Sequence, residues 1–478
     1  MRVAILQAAA VDESLALCDV TAVLRQRGHR VCLFLEDQEP GLPAALARFR
    51  PEIVFVQAAY MAEAWTRHAV RLVEGLPGAT PPRAVLVGTA ATFDAELCAR
   101  VGAFGALMGE LDACAPAFLA ALTSPSPDLA SVPALRWHDG HRWRANPWGE
   151  PPDLDRLPLP ARDVYFARYP FLGRFPWKRF TTGRGCVHSC GFCYLPGLRE
   201  GYGQRPTVRR KSVDRVIAEV HAVRASWPLQ RIHFADDLFA PSRPWLEELA
   251  ERFPREVGLP FSCNTSPETV TETNAALLAR AGAVIVGIGL ETGSEAHRID
   301  LLGRPTRDAA IRRAAERLAR HGIRLQTFNM LANPGEPFAD ALSTLTLNQE
   351  LGAAYPRVNL AYPAPGSHLE QLMAERGTPP LPPDAHARAD WRAWCAEGDP
   401  APFEVLQRLF RLAVRTRLPP SLVSRLAARL DPAWLAPLAL YDATVEARWS
   451  GVSPLAGLRY GLRAGKPNGR VTYHESIP

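Results

Sequence analysis

The chain has 478 residues, 47 % hydrophobic and 22 % charged, with 55 basic against 49 acidic side chains and a formal net charge of +6. That composition is ordinary for a globular protein of two or three domains and excludes a disordered or fibrous chain. No apolar run reaches the roughly eighteen residues a membrane span needs, and the arginines are spread along the chain, so no nucleic-acid partner is expected.

Residues Met1 to Leu6 enter an apolar run directly, with no signal-peptide cleavage pattern, which predicts a cytoplasmic protein. Nine cysteines, an odd number, with Cys18, Cys32, Cys98, Cys114, Cys263 and Cys395 scattered, argue against a disulfide framework. Across residues 1–123, strand-like runs at 2–6, 31–35, 53–57 and 84–88 alternate with helical stretches. The alternation predicts an α/β domain, an open, doubly wound, Rossmann-like parallel sheet. Ser124-Pro125-Ser126-Pro127 breaks it. Residues 124–176, rich in proline and tryptophan, read as a linker over the surface with a small hairpin near 135–144.

A second strand–helix series fills residues 177–374, with strand candidates at 180–182, 232–234, 261–264, 284–290, 325–330 and 358–361. Between them, Val213, Val216, Ile217, Val220 and Val223 fall on one helix face behind a Ser212 N-cap, and Ile311, Ala315 and Leu318 mark another helix ending at Gly322. Six such units predict a partial (β/α)6 barrel resembling part of a TIM barrel, with its chemistry at the C-terminal ends of the strands. Residues 375–478 read as a helical C-terminal domain with a polar tail from 467.

Directly after the first barrel strand comes Thr181-Thr182-Gly183-Arg184-Gly185-Cys186-Val187-His188-Ser189-Cys190-Gly191-Phe192-Cys193-Tyr194. Three thiolates at Cys-x3-Cys-x2-Cys spacing on one loop can hold three corners of a four-iron cube and leave the fourth iron open to a ligand. A structural zinc site is the other use of such cysteines, and it would need His188 as its fourth ligand.

Further stretches accompany the triad: Ile232-His233-Phe234-Ala235-Asp236-Asp237, Gly287-Ile288-Gly289-Leu290-Glu291-Thr292-Gly293, Gly303-Arg304, Asn333-Pro334-Gly335-Glu336 and Tyr362-Pro363-Ala364-Pro365-Gly366-Ser367. In this order the chain resembles the radical S-adenosylmethionine (SAM) superfamily. More narrowly, it resembles the branch with an N-terminal cobalamin-binding domain, whose pattern is echoed at Gly28-His29-Arg30-Val31, Gly88-Thr89, Gly109-Glu110 and residues 154–162. The resemblance implies a [4Fe–4S] cluster on Cys186, Cys190 and Cys193, with SAM on its free iron and electrons from a flavodoxin or ferredoxin. It also implies reductive cleavage of SAM to a 5′-deoxyadenosyl radical. Phe192, Asp236, Asp237, Glu291 and Arg304 are then expected around SAM, and Gly88, Thr89, Gly109 and Glu110 around cobalamin.

Two departures stand out. The turn at Gly88-Thr89 lacks the paired glycines of relatives, and no Asp-x-His-x-x-Gly offers a histidine to cobalt. Cys263, two residues from Phe261, is a candidate hydrogen-atom donor if that face looks into the barrel, and Tyr194 is a second catalytic candidate beside the triad. The reading is cobalamin-dependent methylation of an unactivated carbon in a small molecule or peptide. The alternatives are a non-methylating radical SAM reaction (rearrangement, oxidation or aminocarboxypropyl transfer) with a degenerate first domain, and a metal-binding regulator.

Overall fold

Two parallel sheets organise the chain. The computed structural model describes residues 1–450 except 11, 61, 79–80, 204–207, 363, 365 and 376–397, with the side chains of 446–450 also outside the description. Cys395, both prolines of the 362–367 turn and the polar tail therefore lie outside the described residues.

The first sheet has seven strands: β1 (Arg2–Gln7), β2 (Arg30–Leu35), β3 (Ile53–Gln57), β4 (Arg83–Val87), β5 (Gly105–Leu107), β6 (Leu135–His138) and β7 (Trp143–Ala145). They lie in the order β2-β1-β3-β4-β5-β6-β7. The strands β1 to β5 are mutually parallel, and β6 and β7 add antiparallel. Because the order reverses between β1 and β3, the crevice above their C-terminal ends is a topological switch point, the usual ligand position in such sheets. The central strands are near-continuous apolar runs, as burial on both faces by helices demands.

The sequence expectation of a surface linker over 124–176 is corrected. The hairpin β6–β7 extends the first sheet from β5, with Gly105 opposite Trp137 and Leu107 opposite Leu135. Tyr165, Phe166 and Leu172, further along, are buried in the core beneath that sheet. The prolines and tryptophans here are half-buried or exposed, and Val132, Leu135, Leu154, Val164 and Tyr169 join the segment to the core. Arg162 fastens the two halves: 3 % exposed, it pairs with Glu13 and donates to the Arg179 carbonyl at 2.6 Å.

Six parallel strands form the second sheet: β8 (Trp177–Phe180), β11 (Arg231–Phe234), β12 (Phe261–Thr265), β13 (Ala283–Glu291), β14 (Arg324–Leu331) and β15 (Tyr355–Leu360). Their spatial order follows chain order, which makes the predicted half-barrel. A short ribbon, β9 (Gly183–Arg184) with β10 (Arg209–Arg210), follows the first strand. One face of the strands packs on outer helices: Phe234, Phe239, Phe253 and Phe261 stack with ring centroids 5.1–5.8 Å apart. The described C-terminal helices, Ala401–Thr416, Pro420–Ala427 and Leu438–Ser450, follow the barrel. Val445 closes against Trp177, Ile285 and Tyr355. No described helix is long and apolar enough to cross a membrane.

Candidate active site

The cysteine loop begins where β8 ends and is fixed from its stem upward. Asp236 Oδ1 accepts from the amides of Thr182 at 2.6 Å and Gly183 at 3.3 Å, while its other oxygen takes the Thr182 hydroxyl. The next residue, Asp237, accepts from the Gly185 amide at 3.1 Å. Burial pushes both carboxyls up, Asp237 to about 7. These acids were expected at SAM; in the structure they hold the loop backbone, since strand-end carboxylates satisfy amides that no ladder reaches. In mid-loop, Gly191 donates to the Leu302 carbonyl and accepts from the Leu369 amide, each at 2.8 Å.

All three thiols are free, Cys190 buried and Cys186 and Cys193 half-buried. The amides of His188 and Leu195 lie 3.5 Å from the sulfurs of Cys186 and Cys193, and Arg304 Nη1 lies 3.8 Å from that of Cys190. Each sulfur thus meets an N–H donor, the environment a thiolate ligand uses. Burial alone pushes the thiols up, Cys193 to about 12; a bound cation reverses that and holds a thiolate. A single zinc ion asks four donors to converge at about 2.3 Å. Among the described residues, no three Cys, His, Asp or Glu side chains converge so. A cubane takes each thiolate on a different iron, so the donor set fits it better.

Beside Cys190 stands a charged pair. Glu291 ends β13 at φ +67°, a left-handed conformation that costs a non-glycine residue energy and turns its side chain inward. Arg304 Nη1 reaches Glu291 Oε1 at 3.3 Å, and the buried Nε of Arg304 has no partner. Burial pushes the Glu291 carboxyl up against the pull of Arg304 and Arg298. A carboxylate and a guanidinium with a spare N–H, next to a cluster cysteine, complement an α-ammonium and an α-carboxylate. Behind them, Glu336 of the Asn333–Glu336 turn accepts from the Asn333 amide at 3.0 Å and from the Thr292 hydroxyl at 3.2 Å, which ties the ends of β13 and β14 together.

Phe192 is half-buried against the barrel core. Two catalytic candidates are corrected. Cys263 does share a face with Phe261, but that face packs on the outer helices, with Phe261 5.7 Å from Phe253 of helix Arg243–Glu256. The thiol is sealed in the outer core, away from the lumen. Tyr194 lays its ring 6.0 Å from Phe93 of the first lobe, a packing contact in the seam between lobes.

The loops after β1, β3, β4 and β5 meet the barrel side of that seam: Arg179 reaches Asp12, Tyr60 packs on the barrel core, Phe93 touches Tyr194, and Glu110 meets Arg184 and Arg209. At the switch point the two loops read Ala8-Ala9-Ala10 and Ala58-Ala59, with Ala10 and Ala58 buried. Gly88 has φ +102°, and a Cβ there would stand 3.0 Å from the Ala58 carbonyl oxygen. Thr89 is buried at the start of the following helix. Gly109, φ +67°, faces Trp148 at 2.9 Å from where its Cβ would be. Both glycines are thus closely covered by the protein's own atoms. Glu110, expected at cobalamin, has both its oxygens taken by arginines. Arg184, Arg209, Asp19 and Asp112 escaped the sequence reading, although an arginine between two glycines just ahead of the first cysteine was a visible signal.

A doubly wound sheet facing a half-barrel, with a thiol loop at the barrel's mouth, defines a two-lobed α/β architecture. Residues 180–347 match the model of the Radical SAM superfamily. This segment therefore carries a radical SAM domain, a fold whose cofactors are a [4Fe–4S] cluster and SAM. It is 24 % identical over 227 residues to an uncharacterised methyltransferase of Pyrococcus horikoshii, covering 46 % of this chain and 48 % of that one. It is 25 % identical over 269 residues to the cytidylyl-2-hydroxyethylphosphonate methyltransferase of Streptomyces wedmorensis, covering 52 % and 49 %. The chain thus spans about half the length of the curated relatives it matches. The radical SAM methyltransferase TsrM of Kitasatospora setae, solved with cobalamin and a [4Fe–4S] cluster bound, superposes with a TM-score of 0.64 at 17 % identity, over 78 % of this chain and 75 % of that one. At that identity the likeness is one of fold.

Proposed function

We propose that the chain is a cobalamin-dependent radical SAM methyltransferase acting on an unactivated carbon of a small molecule or peptide. The carrying observation is the opposition of two strand-end surfaces: the alanine-lined switch point of the first sheet and the thiol loop of the barrel, across one seam. In this reading residues 1–123, joined through 124–176, hold the corrin, and 177–374 hold the cluster and SAM. Cys186, Cys190 and Cys193 hold the cluster. Glu291 receives the ammonium of SAM and Arg304 its carboxylate, while Phe192 packs nearby. Gly88, Thr89 and Gly109 line the corrin site. When bound, the cluster supplies the electron that cleaves SAM and the corrin supplies the methyl group. The protein's residues hold and orient these groups and exclude water. Electrons come from a flavodoxin or ferredoxin, and the setting is cytoplasmic.

A second reading keeps the cluster and drops the corrin. The engagement of Glu110 by Arg184 and Arg209, with Trp148 set against Gly109, favours it. Protein produced with ample vitamin B12 and reconstituted without oxygen separates the two. About one corrin per chain, with S-adenosylhomocysteine and 5′-deoxyadenosine among the products, supports methylation. Iron without corrin supports the second reading, and methylthioadenosine would point to the other S–C cleavage.

A further inference from the structure

Arg184 stands two residues before Cys186 and has no ligating or catalytic part in the reading above. Its guanidinium is 4 % exposed and enclosed by three buried carboxylates. Asp112 takes it in a fork, Oδ1 at 3.2 Å from Nη1 and Oδ2 at 2.7 Å from Nη2. Asp19 Oδ2 lies 2.9 Å from Nη2, and Glu110 Oε2 pairs with Nη1. All three acids belong to the first lobe: Asp19 to helix Leu15–Gln26 after β1, Asp112 to helix Leu111–Thr123 after β5, and Glu110 to the residue that precedes that helix. Glu110 also pairs with Arg209, which lies opposite Arg184 in the β9–β10 ribbon. On the barrel side, Asp236 and Asp237 grip the amides of Thr182, Gly183 and Gly185. The stem of the cysteine loop thus hangs between acids of both lobes.

Stability alone does not call for this. A buried ion cluster gains little over apolar packing of the same volume, because each charge must first be stripped of water. What a forked guanidinium adds is fixed direction as well as distance. We propose that Arg184 is a positioning residue for the cluster: through its carboxylate cage the first lobe sets the placement of Cys186 and so the orientation of the iron open to SAM. The inference rests on the assignment of Cys186, Cys190 and Cys193 as cluster ligands.

The test uses the full chain, reconstituted without oxygen, as parent and as Arg184→Met, Arg184→Lys, Asp112→Asn and Cys186→Ser. Iron per chain, the electron paramagnetic resonance of the reduced cluster with and without SAM, and the Kd for SAM are measured. Asp112→Asn and Arg184→Met are expected to keep about four irons per chain, with a diminished SAM-induced spectral change and SAM affinity lower by roughly ten- to hundredfold. Arg184→Lys should fall between them and the parent. Spectra and affinity equal to the parent's in iron-loaded Asp112→Asn and Arg184→Met would overturn the proposal. If Arg184→Met fails to fold, Asp112→Asn decides alone, since it keeps the arginine and two of its acids. Full iron in Cys186→Ser would instead refute the ligand assignment beneath it.

Discussion

The two parallel sheets follow one building rule yet differ in what their strand ends carry. The barrel's ends hold ligating and charged side chains, namely three cysteines, Asp236, Asp237, Glu291 and the nearby Arg304. The first sheet's ends hold alanines at 8–10 and 58–59 and glycines at 88 and 109. One surface makes bonds; the other offers shape and backbone. Under the proposed function a metal and a zwitterion need directed donors, whereas a macrocycle needs clearance, so each lobe's chemistry would be written in the bulk of its loops.

The contrast can be broken from the first lobe. Gly88→Val forces a β-branched residue into φ +102° and sets its Cβ 3.0 Å from the Ala58 carbonyl oxygen. Corrin content should fall from about one per chain to near none, while SAM cleavage at the cluster persists. Loss of both activities together would mean that the lobes are not separable in this way. From the barrel side, Arg304→Ala leaves Glu291 buried without its partner and removes the spare N–H. SAM-dependent formation of 5′-deoxyadenosine should drop about a hundredfold, the equivalent of a lost charge-assisted hydrogen bond of ~2–3 kcal/mol, with iron content unchanged.

Within the barrel, two neighbours on the outer face of β12 sharpen the comparison further. Phe261→Ala should cost ~3–5 kcal/mol in denaturant unfolding, because it empties a site ringed by three phenylalanines. Cys263→Ala on the same face should cost only ~1 kcal/mol and leave product formation untouched. A large loss of turnover in Cys263→Ala would restore the thiol as a hydrogen donor.

The smallest effect is one of pH. Burial pushes the Glu336 carboxyl up from 4.5 to about 7, against the hydrogen bonds from Asn333 and Thr292. Between those values the unfolded chain has released this proton and the folded chain still holds it. Stability should therefore fall as pH rises from 4.5 to 7, by at most ~3 kcal/mol from this group. Glu336→Gln should flatten that slope, and an unaltered slope would assign it to other carboxyls.

Much of the fold was legible because parallel strands buried on both faces leave plain apolar runs: four first-lobe strands and all six of the barrel fall within a few residues of their expected places. The fifth strand, Gly105–Leu107, is too short to leave a period. The hairpin's pairing with β5 depends on a long-range register that local sequence does not encode. At the site, the triad was readable from spacing, Glu291 and Arg304 were expected only through the family resemblance, and their pairing is a finding of the structure. What was not readable is which way a side chain points: Cys263 and Phe261 share parity in sequence, and only the position of helix Arg243–Glu256 decides that their face is the outer one. Asp236 and Asp237 were seen as acids at a strand end, but their partners are amides of a loop some fifty residues earlier.

The central claim is a cuboidal iron–sulfur centre on Cys186, Cys190 and Cys193 with one iron left for SAM. Iron and acid-labile sulfide should be counted in oxygen-free protein, beside a variant carrying Cys186→Ser, Cys190→Ser and Cys193→Ser together. The account predicts about four irons and four sulfides per chain in the parent, none in the variant, and 5′-deoxyadenosine from the parent alone when SAM and a reductant are added. Iron retained by the triple variant, or a parent that stays colourless and binds one zinc ion, would contradict it.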